Sequence, residues 1–344
     1  VVALGGNALL KRGEAVTLEN QKKNAATAAS AIVKLLANGY RVCVTHGNGP
    51  QVGLLSKLQP ESALYILDAQ TEGEAGYLLQ LELHNALSEY AAISGNSALK
   101  DTNVSALITT TVVDKNDAAF DHPTKPIGRE LDEASIESCK SSGFSVIRDG
   151  NAFRRAVASP KPLRIVEFPI IRSLLELNTL VVCCGGGGVP VIEHKTSSSS
   201  SLEGIDAVVD KDAVSALLAV ELKADALLIL TDAAGVIPPD VWTQNLEKQK
   251  TMKDTSKWKS ELEASVQKDM SSDLDLNQYA AGSMRPKLES AVKFVTDRVS
   301  SSTTGNEISL CSPFAAIGPL ERALQVLHGH EGTTIWSCNR EDSQ

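Results

Sequence analysis

Short apolar runs alternate with an amphipathic stretch at the start of the chain. Val1–Leu4 is an apolar run that ends in glycine, and a second run, Arg41–Thr45, ends in another glycine-rich turn. Between them, apolar residues recur at the spacing of one helix face: Ala25, Ala28, Ala29, Ile32, Leu35 and Leu36. Gly39 is the expected left-handed residue after this helix. Strand, glycine turn, helix and strand in this order predict a parallel sheet covered by helices.

The alternation pauses in the middle of the chain and then resumes. A long helix is expected at about Thr71–Tyr90 and a β-rich run at Val104–Val113, but 114–162 is polar, rich in proline and without a long apolar strand. This stretch predicts an insertion, such as a small lid, within one α/β domain that spans 1–344. Beyond it we expect helices at Glu167–Leu177, Lys211–Leu222 and from near Pro286 to about Val299, a short helix near Leu320–Leu327, and strands at Thr179–Cys184, Asp225–Thr231, Glu307–Cys311 and Thr333–Trp336. The serine-rich segment 196–201 is expected to be a surface loop.

Composition and charge narrow the possible functions. Hydrophobic residues make up 42% and charged residues 22% of the chain, as in ordinary globular proteins, and the net charge is −9. An acidic chain without clustered Lys and Arg is a poor partner for nucleic acid. The longest nearly apolar stretch, Leu180–Ile192, is too short and too rich in glycine to cross a bilayer. Dispersed cysteines without metal spacing favour a reducing, cytoplasmic location, although import into an organelle stays open because the sequence begins at Val1.

Glycine turns follow three of the expected strands. Gly5 and Gly6 follow the first, Gly47 and Gly49 the second, and the run 185–188 follows the strand after the insertion. At the carboxyl ends of parallel strands, glycine lets backbone N–H groups approach an anion, and the next helix adds the positive end of its dipole. The sequence therefore predicts a phosphate-type ligand. It contains no Gly-Lys dipeptide and hence no P-loop, and the second turn misses the dinucleotide fingerprint by one residue.

Two lysines stand at the starts of expected helices. Lys211 lies between Asp210 and Asp212, which indicates either a phosphate-binding lysine held by Asp212 or a solvated charge cluster. Lys287 lies in a first helical turn, where it opposes the helix dipole. That position suggests an anionic partner for Lys287, a surface lysine being the alternative.

Seven motifs occur here in the order found in carbamate kinases, which belong to the amino-acid-kinase superfamily: ALGGNALL, HGNGPQVG, PTKPIG, SPKP, CGGGGVP, VVDKDA and AGSMRPK. The resemblance covers nearly the whole chain. It implies a three-layer α/β/α sandwich with an open, mainly parallel sheet of about eight strands, and a small protruding subdomain within 114–162. It also implies a homodimer and reversible phosphoryl transfer between ATP and carbamate, with Mg²⁺, more often used to make ATP from carbamoyl phosphate in arginine breakdown.

The resemblance also implies roles for particular residues. As catalytic residues it gives Lys211, Lys287, Asp212 and Lys125. For the substrate and the phosphate it gives Gly5, Gly6, Asn7, Gly47, Asn48, Gly49 and Gln51. For the nucleotide it gives Gly186, Gly187, Asp210, Thr231, Asp232, Ser283 and Met284.

The sequence departs from the carbamate kinase pattern in two places. Arg285 stands where the family usually has glycine or an apolar residue, so it would either add a phosphate contact or crowd the nucleotide. The stretch 235–277 lacks the expected adenine-side pattern. Two alternatives therefore stay open: another acyl-phosphate-forming kinase of the superfamily, and a catalytically silent nucleotide-binding regulator.

Overall fold

A computed structural model describes residues 1–6, 9–11, 13–149, 152–244, 263–279, 284–302 and 312–337. The predictions for Asn7, Ser283 and the strand at 307–311 lie outside these residues. The helices are α1 (Leu18–Ala37), α2 (Gly49–Leu58), α3 (Leu64–Ser94), α4 (Ser97–Lys100), α5 (Glu133–Ser141), α6 (Phe168–Glu176), α7 (Lys211–Glu221), α8 (Met284–Ser302) and α9 (Ala323–Leu327). Over the described ranges, no helix is both apolar enough and long enough to cross a membrane.

The strands form three sheets. They are β1 (Val2–Leu4), β2 (Cys43–His46), β3 (Val104–Ala106), β4 (Thr110–Val113), β5 (Lys125–Leu131), β6 (Ser145–Asp149), β7 (Ala152–Val157), β8 (Pro162–Ile165), β9 (Leu180–Cys183), β10 (Val189–Lys195), β11 (Ser200–Gly204), β12 (Ala226–Thr231), β13 (Asp269–Ser271), β14 (Phe314–Pro319) and β15 (Thr333–Trp336).

The main sheet has eight strands in the order β13-β15-β14-β12-β1-β2-β9-β3. Each neighbouring pair is parallel except β14 with β15. Successive residues of β1 face opposite sides: Leu4 packs with α1 and α3, whereas Ala3 packs with α7 and α8. Helices therefore cover both faces, and the predicted α/β/α sandwich is confirmed.

The helix after β1 matches its sequence pattern. Thr17 caps α1 by accepting a hydrogen bond from the backbone N–H of Asn20, and the buried alanines of the helix let it pack closely on the sheet. The helix ends at Ala37 with Asn38 as its cap, and Gly39 follows with a φ of +86°, as expected for the left-handed residue after a helix.

The expected β-rich run divides into two strands, and the expected serine loop is in part a strand. The run Val104–Val113 is not one strand: it divides into β3 in the main sheet and β4 in a second sheet of order β11-β10-β4-β8. The division falls at Thr109, whose backbone N–H and hydroxyl both donate to Glu72. These two hydrogen bonds hold the chain where it leaves the main sheet for the second sheet. Ser200 and Ser201 are not loop residues but belong to β11, because backbone pairing with β10 needs no apolar side chain.

The third sheet lies inside the predicted insertion. It is antiparallel, in the order β5-β7-β6, and α5 contacts all three of its strands. Its inner end meets α2 and α3 in an apolar cluster that includes Val52, Leu67, Ile127 and Val157. We call this small unit, the third sheet together with α5, the subdomain; β5 begins with Lys125.

Candidate active site

Two glycine turns meet at the carboxyl ends of β1 and β2. The backbone N–H of Gly5 donates to Leu230 at 2.9 Å, and that of Gly47 donates to Leu4 at 3.2 Å. A Cβ at Gly47 would lie 3.0 Å from the backbone of Gly6, so side chains at this position would push the turns apart. Gly49 begins α2, which directs the positive end of its dipole towards the same edge of the sheet. The edge is therefore built to receive an anion.

Asp212 joins two lysines from different helices beside these turns. Asp212 lies in the first turn of α7 and is 4% exposed. One carboxylate oxygen accepts a hydrogen bond from Lys211, and the other accepts from Lys287 of α8 at 3.0 Å. The anionic partner expected for Lys287 is thus Asp212. Ser215 fixes this helix to β2 through a 2.6 Å hydrogen bond with Thr45.

The charges in this cluster are tightly coupled. Burial alone would raise the pKa of Asp212, but Lys211 and Lys287 outweigh it and hold that pKa well below its ordinary value. Burial lowers the pKa of Lys211, whereas for Lys287 the attraction of Asp212 outweighs burial and raises the pKa. Two ammonium groups share one carboxylate, so the cluster can accept a further anion.

Asp210 links this cluster to the subdomain. Its side chain caps α7 by accepting from the backbone N–H groups of Asp212 and Ala213, at 2.9 and 3.3 Å. Its other oxygen accepts from Lys125, at the start of β5. Burial and the nearby Asp212 raise the pKa of Asp210, but Lys125 and Lys211 together outweigh them and the net pKa lies below the ordinary value. Lys125 and Asp210 thus lie together, with Asp210 one residue before Lys211.

The third glycine turn packs against the second. In the sheet order, β9 neighbours β2, whereas β12 lies on the far side of β1. A Cβ at Gly186 would lie 2.3 Å from the amide of Asn48, and one at Gly187 would lie 2.5 Å from the carbonyl oxygen of Val209. Gly186 and Gly187 thus lie beside the second glycine turn, and their assignment to the nucleotide stays a prediction.

Two predicted substrate-binding side chains are turned into the protein. The Asn48 amide is buried and donates to Asp68 at 2.5 Å and to Thr71 at 2.9 Å, so only the backbone N–H of Asn48 remains for a ligand. Gln51 is 3% exposed and donates to Gln21 of α1 at 3.1 Å. Both amides support the turn from behind, which sequence alone did not reveal.

A buried polar layer from α3 lies under the turns and was missed at the sequence level. Glu72 accepts from Thr109 at 2.7 Å and from the backbone N–H of Gly185 at 2.8 Å. Burial raises the pKa of Glu72 to about 8 and that of Asp68 to about 7. Burial lowers the pKa of His46 to about 4, which leaves its ring neutral. The sequence does contain a signal for this layer: Asp68 and Glu72 are two carboxylates spaced four apart on an otherwise apolar helix face.

Two clefts open at this edge. The larger, of about 1420 Å³, is lined by Gly6, Gly49, Lys125 and Asp210 among others. The smaller, of about 920 Å³, lies at the ends of β12 and β14 and is lined by residues that include Thr231, Asp232, Lys268 and Arg322. Lys11 lines both clefts. The two clefts therefore lie next to each other.

The first turns of α8 line the larger cleft through Pro286, Glu289 and Ser290. Met284, its first residue, is half-buried and packs on the apolar cluster beneath α8. The guanidinium of Arg285 donates to the backbone carbonyls of Asn277, at 2.8 Å, and Tyr279, at 3.2 Å. Arg285 therefore braces the segment before α8, in place of the phosphate contact considered from the sequence.

The carboxylates of the site bear on metal binding. No group of three or more His, Cys, Asp or Glu side chains that could hold a metal occurs in the portions of the chain described above. Asp210 and Asp212 are each bonded to lysine. This donor set fits a Mg²⁺ ion that arrives on nucleotide phosphates and does not fit a cage made of protein ligands.

Comparison with known proteins agrees with this architecture. Residues 1–302 match the amino acid kinase family. The carbamate kinase of Rhizobium meliloti strain 1021 is 38% identical over 98% of this chain and 93% of its own length. Two solved structures of Giardia lamblia carbamate kinase, one bound to citric acid and one to AMP-PNP, superpose with TM-scores of 0.76 and 0.72 at 31% identity. Each comparison covers 98% of this chain and 97% of the other. The chain belongs to the carbamate kinases of the amino acid kinase family.

Proposed function

We propose that this protein catalyses reversible phosphoryl transfer between ATP and carbamate, giving ADP and carbamoyl phosphate. The observation that carries the proposal is the pair of lysines joined by Asp212 beside the glycine turns. Family membership supports the reaction, because the relatives named above are carbamate kinases.

Lys211 and Lys287 are the proposed catalytic cations, and Asp212 orients them. Phosphoryl transfer passes through a loose transition state whose charge is spread over three equatorial oxygens. Positive groups that are already in place stabilise this charge without reorganisation at the moment of reaction. Because Asp212 holds both ammonium groups, neither has to move far to reach a phosphoryl group above the sheet edge.

The glycine turns and Lys125 are proposed to hold the small substrate and the transferred phosphoryl group. Backbone N–H groups at Gly5, Gly6, Gly47, Asn48 and Gly49 are the proposed donors, as the following helix start favours an anion. Lys125 would contact the carboxylate end of carbamate from the subdomain side. Its present partner, Asp210, would keep the ammonium group near that position.

The smaller cleft is the proposed site of ATP or ADP. Thr231 and Asp232 line it, and its position at the ends of β12 and β14 suits a nucleotide next to the phosphoryl site. Met284, the first residue of α8, is a further nucleotide-side candidate, as are Ser283, Asp210, Gly186 and Gly187. When bound on the phosphates, Mg²⁺ supplies further positive charge at the transferring group.

We also propose a homodimer, formed through α3. An apolar stripe is exposed along this helix: Ile66 is 43% and Tyr77 60% exposed, and Ile108, 56% exposed, lies over Gly73 between them. Such a stripe beside the edge strand β3 suits an isologous contact with a second copy. The small subdomain within 114–162 would stay free to carry Lys125.

The resemblance to carbamate kinases also suggests a biological setting. We propose that the enzyme acts in the cytoplasm and makes ATP from carbamoyl phosphate during arginine breakdown. The buried cysteines 43, 183 and 184 are free thiols, which suits a reducing compartment.

A coupled assay of ATP formation from ADP and carbamoyl phosphate, with Mg²⁺, tests the proposed reaction. We expect turnover with carbamoyl phosphate and little with acetyl phosphate or other acyl phosphates. A folded protein that binds nucleotide yet forms no ATP from any acyl phosphate would contradict the proposal. Preferred use of another acyl phosphate would assign a different substrate to the same site.

A further inference from the structure

The backbones of α2 and β5 touch at two glycines. Gly53 lies in the second turn of α2, and Gly128 lies in β5 with a φ of +73°. A Cβ at Gly53 would lie 2.1 Å from the Cα of Gly128 and 2.4 Å from its nitrogen. No side chain fits there, so glycine at position 53 is what lets the subdomain approach α2 this closely.

Several contacts hold the strand in this position. Val52, which precedes Gly53, packs in one buried apolar cluster with Ile127 and Val157 of the subdomain. The guanidinium of Arg154 donates to the carbonyl oxygen of Gly128 at 2.8 Å. The pairing of β5 with β7 shifts register between Ile127 and Leu131, so the strand bends at the glycine.

The contact lies three residues from Lys125. Lys125 begins β5, pairs with Val157 across the sheet, and bonds to Asp210 at the start of α7. The depth to which β5 docks on α2 therefore determines where the Lys125 ammonium group lies relative to α7.

We propose that Gly53 and Gly128 are positioning residues for Lys125: their backbone contact sets how far the subdomain brings this lysine towards the substrate. The inference rests on the proposed function, in which Lys125 contacts the small substrate. It concerns a contact that neither the glycine turns nor the two-lysine cluster involves.

Gly53→Ala tests this contact. To reach an ordinary 3.4 Å separation from Gly128, the new methyl group must move β5 by about 1.3 Å. A misplacement of about 1 Å at a reacting centre can lower the rate about 10²-fold. We expect kcat/KM for carbamoyl phosphate to fall about 10–10²-fold, while the KM for ADP stays unchanged. Ser56→Ala, one turn later in α2 with its hydroxyl on the Gly53 carbonyl, is the matched control and should retain wild-type kinetics.

A double-mutant cycle separates positioning from general damage. In a Lys125→Ala background, Gly53→Ala should cause no further loss, because the group that it displaces is gone. Additive losses, or wild-type kinetics in Gly53→Ala, would overturn the inference. Thermal unfolding checks that each variant folds. If Gly53→Ala does not fold, Arg154→Ala takes its place: it should lower kcat/KM only when Lys125 is present, and a loss in both backgrounds would contradict the inference.

An inactive wild-type enzyme would instead refute the proposed function. The two failures are therefore distinguishable in the same set of measurements, since the inference about Gly53 is judged only against an active parent.

Discussion

Replacing Asp212 by asparagine removes the negative charge that Lys211 and Lys287 share. The side chains of these lysines are 11% and 16% exposed, so solvent compensates little for the loss. The asparagine oxygen can accept from one lysine, but its amide N–H groups would face the other. Lys211, whose pKa burial already lowers, would lose the partner that most opposes that shift.

The expected effects are large on both activity and stability. Breaking a buried ion pair by removing one partner costs about 3–5 kcal/mol, and we expect a loss of about 3 kcal/mol in the free energy of unfolding because the cleft admits some water. Displacing preorganised cations at the transition state should lower kcat about 10²–10³-fold. Urea unfolding and steady-state kinetics in the ATP-forming direction measure the two effects.

Asp297→Asn is the matched control for Asp212→Asn. It breaks a lysine–carboxylate pair of α8, Lys293 with Asp297 at 2.6 Å, whose side chains are 58% and 41% exposed. A surface pair spaced four apart contributes about 0.3–0.5 kcal/mol, and Asp297 is outside the site, so kinetics should match wild type. Wild-type kcat in Asp212→Asn, or losses no larger than those of Asp297→Asn, would refute the proposed role of Asp212.

Three further outcomes are expected. Lys211→Ala should lower kcat about 10²–10³-fold with little change in the far-UV circular dichroism spectrum, and unchanged kcat would exclude Lys211 from catalysis. Because burial raises the pKa of Asp68 from 3.8 to about 7, the folded state keeps a proton that the unfolded chain loses, so stability falls as the pH rises through this window. Between pH 5 and pH 8, the free energy of unfolding of Asp68→Asn should therefore fall by about 2–3 kcal/mol less than that of wild type, as measured by urea unfolding. An equal fall in both proteins would contradict the assignment. Tyr77→Glu should give monomers in sedimentation analysis, and a dimer as stable as wild type would place the interface elsewhere.

The pattern of hydrophobic and polar residues predicted most of the α/β/α sandwich, because the periodicity of each helix and strand is visible within a short stretch of sequence. α7 and β12 each begin and end within one residue of expectation, and α1 ends where its glycine predicted, although it begins seven residues before the first expected position, Ala25. The break between β3 and β4 was not predictable in this way. It depends on a hydrogen bond from Thr109 to Glu72, whose partners are 37 residues apart in the chain.

The charged residues of the site were predictable from the sequence, but the buried contacts that hold the glycine turns in place were not. Lys211, Asp212 and Lys287 stand at helix starts, where sequence spacing is informative, and the structure brings them together. The direction of the Asn48 amide could not be read from its motif, because Asp68 and Gly186 come to it from distant segments. Close approach of backbone, as between Gly53 and Gly128, likewise leaves no signature that distinguishes it from ordinary turn chemistry.

Phosphorus-31 NMR of the purified protein with ADP, Mg²⁺ and carbamoyl phosphate tests the central claim most directly, since it follows substrate and product phosphate together. The account predicts that the carbamoyl phosphate signal falls as the γ-phosphate signal of ATP rises, and that Lys211→Ala slows this exchange by orders of magnitude. Carbamoyl phosphate that disappears only into inorganic phosphate, with no ATP formed by the folded protein, would contradict it.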